Sequence, residues 1–189
     1  ADPEIMDAYV NGNKALVTEA VGNGTAVTAI YSLAVSSGLH GQVESFLDGS
    51  DVTVSLFAAG SAQPQYTVTV PAGEKSGGKY TAVYDIPSVA AGTYTVQVSK
   101  KNHVTREYTV TVGGDVKTLN TEIRLLGDVN GDGRVNTMDY TRLLKHVNET
   151  QPLTDAYALK CSDVNKDNRV NTMDYTRLLK HVNETQPLW

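Results

Sequence analysis

Residues 134–153 read RVNTMDYTRLLKHVNETQPL, and residues 169–188 repeat them without one change. An acidic stretch stands before each copy, DVNGDG at 128–133 and DVNKDN at 163–168. Such a duplication predicts that the C-terminal part folds as two copies of one unit. Each unit opens with oxygen-bearing side chains at alternate positions. With Asp128 as position 1, position 3 is Asn130, position 5 Asp132, position 9 Asn136 and position 12 Asp139; Arg134 at position 7 offers its backbone carbonyl. The second set is Asp163, Asn165, Asp167, the Arg169 carbonyl, Asn171 and Asp174. This is the spacing of a calcium loop, because Ca²⁺ takes six or more hard oxygens at about 2.3–2.6 Å and the backbone must wrap around it to deliver them. Two Ca²⁺ ions are therefore expected.

Position 6 is where the loop bends sharply. Gly133 bends freely, whereas the second loop must use Asn168, a residue that tolerates positive φ better than most. Lys166 also places a positive charge at position 4, where the first loop has Gly131. The second site is expected to be the less favourable. Without metal, three aspartates crowd each loop and repel, so cation binding and folding should be coupled.

Each loop runs into a helical period. Asn136 is placed to cap the first helix, with Asp139 near its positive end. Tyr140, Leu143, Leu144 and Val147 form an apolar stripe, repeated as Tyr175, Leu178, Leu179 and Val182. Arg142, Lys145, His146 and Glu149 are expected on the wetter side. PLTDAYALKCS predicts a short middle helix, capped by Thr154, with Tyr157 inward. Cys161 is the only cysteine, which excludes an internal disulfide and a thiolate metal site, and reads as a buried small hydrophobe. Trp189 is expected to pack over the first unit. The NET sequons at 148–150 and 183–185 read as coincidences of the repeated helix end.

The preceding region has a different period. Val52, Val54 and Leu56 alternate with Thr53 and Ser55, and Tyr94, Val96 and Val98 alternate with Thr95, Gln97 and Ser99. Period two with polar partners means half-buried antiparallel sheet. Seven such segments between 38 and 126, punctuated by Gly, Pro and Asp, predict an all-β sandwich. The short junction RLLGDV predicts that sandwich and helical units sit close together. Residues 1–37 are ambiguous: KALVTEAV and AVTAIYSLAV read as strands around GNG, either a hairpin of the sandwich or the tail of a preceding domain. The expected domains are thus 1–37, 38–126 and 127–189.

The 189 residues carry a formal net charge of −5 and no basic stripe, which argues against nucleic acid. No apolar run reaches the roughly 18 residues of a membrane span. The opening ADPEIMDAYV has no leader pattern, and a leader already removed is one reading of it. No convergent catalytic set stands out, so the chain is not expected to be an enzyme.

The pair GDVNGDGRVNTMDYTRLLKHV and SDVNKDNRVNTMDYTRLLKHV resembles the type I dockerin signature. A full EF-hand is a weaker match, since NTEIRLLG entering the first loop reads as a strand and position 12 is Asp. The resemblance implies a small all-α module of two calcium loop–helix units that binds a cohesin domain of a scaffoldin. It also implies a cellulosome-like, secreted setting of polysaccharide degradation, with a catalytic domain elsewhere in the parent protein. The contact positions it implies are Thr137, Met138, Leu144 and Lys145, with Thr172, Met173, Leu179 and Lys180 in the second unit. Met138 and Met173 depart from the small hydroxyl residue often found there, which implies a different or more hydrophobic cohesin pocket, or a surface that serves another partner. The helical stripe buries Leu144 and Leu179, whereas the resemblance exposes them. Residues 38–126, through VAAGTYTVQVSKKNHVTREYTVTV, resemble Ig-like sandwiches of the carboxypeptidase-regulatory type, which precede dockerins as X-modules. Two other functions are open: a calcium-stabilised cap packed on its own sandwich, and carbohydrate binding through Tyr66, Tyr80, Tyr84, Tyr94 and Tyr108.

Overall fold

A computed structural model describes Tyr9–Val10, Asn13–Lys14 and residues 37–189. The strands expected at KALVTEAV and AVTAIYSLAV lie outside the described residues, Lys14 excepted. In the N-terminal unit, 1–36, β1 (Tyr9–Val10) pairs antiparallel with β2 (Asn13–Lys14).

The second unit, 37–189, contains two sheets followed by three helices. The first sheet has β3 (Gly38–Ser45) at its centre. β7 (Lys79–Pro87) lies antiparallel to it, with β6 (Lys75–Ser76) beyond. β10 (Val116–Thr118) and β11 (Thr121–Glu122) run parallel to β3 on its other side. The second sheet is fully antiparallel, in the order β5 (Tyr66–Val70), β4 (Val52–Ala58), β8 (Gly92–Lys100), β9 (Arg106–Val112).

Alternation places the core. Val52, Val54 and Leu56 on β4, and Tyr94, Val96 and Val98 on β8, are buried against Leu39, Val43, Ala82, Tyr84 and Ile86 of the first sheet. On β4 and β8 the register pairs Val54 with Val98 and Leu56 with Val96, so apolar neighbours stack along one face. The opposite face carries cross-strand hydroxyl pairs, Thr53 with Thr69 at 3.0 Å and Thr93 with Thr111 at 3.0 Å. Tyr84 and Tyr94 are buried, and Tyr66 and Tyr108 pack on the core. Of the five tyrosines named for sugar binding, these four are engaged with the core, and the half-buried Tyr80 ring is covered by the Lys75 and Lys100 ammonium groups.

Two strands escape the sequence pattern. β6 and β10 are two and three residues long, too short for a period to register. The segment LNTEIRLL, expected as one strand, forms a strand only at Thr121–Glu122, with an isolated bridge from Leu125 to His103; Ile123 enters the sandwich core and Leu126 the helical one.

The helices are α1 (Thr137–Val147), α2 (Ala156–Ser162) and α3 (Thr172–Val182). Leu143 and Leu178 are fully buried in a second core with Val129, Ala158, Val164 and Leu188. Tyr140 and Tyr175 stack with ring centroids 4.8 Å apart and share a hydroxyl–hydroxyl hydrogen bond, one equivalent residue from each unit. No helix among the described residues is long and apolar enough to cross a membrane.

Three expectations are corrected. Asp155, not Thr154, caps α2, its Oδ1 accepting from Tyr157 N–H at 2.9 Å. Trp189 packs beside His181 of the second unit, ring centroids 4.9 Å apart, while buried Leu188 lies against Gly127 and closes the ends. His146 and His181 are half-buried: each Nδ1 accepts a backbone N–H seven residues on, from Leu153 at 3.1 Å and Leu188 at 3.2 Å, tying the chain after each helix back onto it.

Candidate metal loops and docking face

Both loops gather their carboxylates. Asp128, Asp132 and Asp139 each place an oxygen within 4.8 Å of the others, as do Asp163, Asp167 and Asp174; these are the acidic clusters among the described residues. The wrap comes from backbone N–H groups turned inward. Asp128 Oδ1 accepts from Gly131 N–H at 2.7 Å and Asp132 N–H at 3.2 Å, and its Oδ2 accepts from Gly133 N–H at 3.0 Å. In the second loop Asp163 accepts from Asp167 and Asn168 N–H groups at 3.1 and 2.9 Å. The positive-φ bend falls as expected, at Gly133 (+82°) and Asn168 (+64°).

Position 12 closes each loop and starts each helix. Asp139 Oδ1 accepts from Asn130 N–H at 3.0 Å, and its Oδ2 accepts from Asn136 N–H at 2.9 Å. Asn136 returns the bond by capping α1, which completes a capping box; Asn171 and Asp174 do the same for α3. The side-chain oxygens of Asn136 and Asn171 thus serve the helix N-termini.

The electrostatics of the first loop suit a cation. Asp128, Asp139 and Asp174 are fully buried. Burial pushes the Asp128 carboxyl up to about 6, with Asp139 and Asp132 adding to the rise and the Gly133 and Gly131 N–H groups opposing it. Burial raises Asp139 as well. Three clustered carboxylates with only N–H partners, two of them buried, cost free energy that a divalent ion would offset. The donor set is hard oxygen throughout, so these residues fit Ca²⁺, and the ion would supply a rigid node joining loop to helix. Cys161 takes no part, since burial pushes its thiol up to about 12.

Beside each loop lies a shallow groove on the helix. Thr137, Met138, Thr141, Arg142, Lys145 and Gln151 line the first, about 330 Å³ in volume. The same residues 35 positions on line the second, about 380 Å³. Met138 and Met173 are 64% and 65% exposed, among the most exposed large apolar side chains of the described residues. Of the contact positions implied by resemblance, Thr137, Met138 and Lys145 and their counterparts Thr172, Met173 and Lys180 lie together in the grooves. Leu144 and Leu179 do not line them; both are half-buried, outside the packed core and beside the fully buried Leu143 and Leu178.

The dockerin type I domain family model matches residues 126–183. This segment is a dockerin-like domain. It follows a β-sandwich region, and modules of this family are non-catalytic interaction modules. No curated protein matches the chain. Two solved structures are similar, both from type II cohesin–X-dockerin complexes of Acetivibrio cellulolyticus. One is a C-terminal interface mutant, at 25% identity and TM-score 0.33, covering 77% of this chain and 94% of that one. The other is an N-terminal interface mutant, at 23% identity, TM-score 0.30 and the same coverages.

Sequence reasoning missed the residues that join sandwich to dockerin-like domain. Tyr157 of α2 donates its hydroxyl to Val104 O at 2.7 Å and accepts from Arg124 N–H at 3.0 Å. Its ring lies under the guanidinium groups of Arg106 (4.6 Å) and Arg124 (5.5 Å). Arg124 pairs with Asp155 at 3.3 Å, and Leu126 N–H donates to Asn102 O at 3.0 Å. The advance signals were the brevity of the junction and the inward placement of Tyr157.

Proposed function

We propose that the chain is a calcium-dependent docking module. Its dockerin-like domain, 127–189, would bind a cohesin domain of a scaffoldin, with the sandwich of 38–126 as its support. The observation that carries this reading is the pair of equivalent grooves, each beside a carboxylate loop and each lined by an exposed methionine, an Arg and a Lys. In this reading Asp128, Asn130, Asp132, Asp139 and the Arg134 carbonyl hold one Ca²⁺, and their counterparts Asp163, Asn165, Asp167, Asp174 and the Arg169 carbonyl hold the other. Asn136 and Asn171, at position 9, complete each ligand set in this reading and also cap the helices. The ions fix the angle between loop and helix and so shape the grooves. The module would anchor a secreted enzyme to an extracellular complex.

The packing of Tyr157 between Arg106 and Arg124 favours a second reading, a calcium-stabilised cap with no external partner. Binding to a panel of cohesins, with calcium and with chelator, separates the two. Docking is expected in calcium and lost with chelator, and Lys145→Ala and Lys180→Ala should each be tolerated while the double variant is not. Absence of binding to any cohesin, with a large calcium-dependent rise in Tm, would favour the cap.

A further inference from the structure

The two repeats differ at only two positions between 128–153 and 163–188: Gly131 against Lys166, and Gly133 against Asn168. The sandwich touches the first loop at these two glycines. A Cβ on Gly133 would lie 2.2 Å from Cδ1 and Cε1 of Phe46, at the end of β3. A Cβ on Gly131 would lie 2.8 Å from the Arg124 guanidinium. Phe46 is 3% exposed and held from both sides of its backbone. Its N–H donates to His103 Nε2 at 3.1 Å, and its carbonyl accepts from the buried Lys100 ammonium at 3.4 Å. Arg124 is held by Asp155 and the Tyr157 ring.

Burial follows the same asymmetry. Asp128 is fully buried and Gly131 and Gly133 are half-buried, whereas Asp163 is half-buried and Lys166 and Asn168 are exposed. The ring of Phe46 could not lie equally close over Asn168, because the side chain would occupy its place. The glycine pair therefore fixes which loop seats Phe46 and Arg124; the second loop instead borders a pocket with His103, Val104 and Thr105 of the sandwich.

We propose that the sandwich supports the first loop by direct seating: Phe46 and Arg124, set on Gly133 and Gly131, hold that loop in its cation-binding form, and the second loop, which has no glycine, offers no such seat. The inference rests on reading both loops as calcium sites. Outer residues that orient a metal's ligands commonly contribute 10- to 100-fold in affinity. By linkage, calcium in the first loop must equally favour the seated sandwich.

The test is an NMR calcium titration of the full chain, metal-stripped, with assigned amides. Gly131 and Gly133 report the first loop; Lys166 and Asn168 report the second. Phe46→Leu keeps an apolar side chain in the core but removes the flat ring, and Arg124→Ala removes the second contact without touching that core. Either variant should weaken calcium at the first loop roughly tenfold or more and leave the second within about twofold. If neither weakens the first loop selectively, whether both loops shift alike or none does, the inference is overturned. If the unaltered chain shows no calcium response at either loop, the calcium reading itself fails, a different outcome.

Discussion

Tyr157→Phe tests whether the dockerin-like domain and the sandwich are one folded body. The substitution keeps the ring between Arg106 and Arg124 and removes only the hydroxyl. Two hydrogen bonds go with it, to Val104 O at 2.7 Å and from Arg124 N–H at 3.0 Å. Tyr157 is 7% exposed, so little water reaches the gap. A hydrogen bond is worth about 1 kcal/mol net, and a buried group left without its partner costs about 1–3 kcal/mol. Loss of about 2–3 kcal/mol is expected. At about 2–4 °C per kcal/mol for a chain of this size, Tm should fall by roughly 5–10 °C. The assay is thermal and urea unfolding by circular dichroism in saturating calcium. Tyr66→Phe is the control, since its hydroxyl accepts an exposed bond from Ala90 N–H at 3.0 Å and should cost under about 1 kcal/mol. A change below about 0.5 kcal/mol for Tyr157→Phe would refute the reasoning, because the hydroxyl could then not be bridging the two regions.

Two further outcomes follow from buried polar groups. Burial lowers the His103 pKa to about 4, and its Nε2 accepts from Phe46 N–H, so the folded protein holds a neutral ring while the unfolded chain titrates near 6.5. Its contribution is complete above about pH 6.5 and is lost as pH falls towards 4, on the order of 3 kcal/mol; His103→Gln should flatten that part of the stability–pH curve in calcium, and an unchanged slope would contradict the assignment. Asp139→Asn should remove about half of the calcium-induced rise in Tm measured by calorimetry, because one of two loops loses its closing carboxylate while the other is untouched.

Much of the fold was legible because its periods are simple. The alternation at Val52–Leu56 and Tyr94–Val98 located the facing sheets, and the spacing from Asp128 to Asp139 located a loop whose three carboxylates converge. A one-dimensional stripe was less able to decide Leu143 against Leu144. Adjacent helical residues differ by about 100° in direction, and only the position of α3 settles which faces inward. Nor could the sequence reveal that Phe46 and Arg124 lie on the first loop, because they come from strand ends 78 residues apart. Gly131 and Gly133 were the trace of that contact, legible as a bend in the loop but not as room for a ring. His146 and His181 looked like exposed surface residues; their bonds to Leu153 and Leu188 depend on the chain turning back after each helix.

The central claim is that two cations organise the duplicated units. Native mass spectrometry of the metal-stripped full chain, titrated with calcium and then with chelator, tests it most directly. Two Ca²⁺ bound per chain and both released by chelator is the expected result. A chain that takes up none, or that holds calcium equally well after Asp139→Asn and Asp174→Asn are combined, would contradict it.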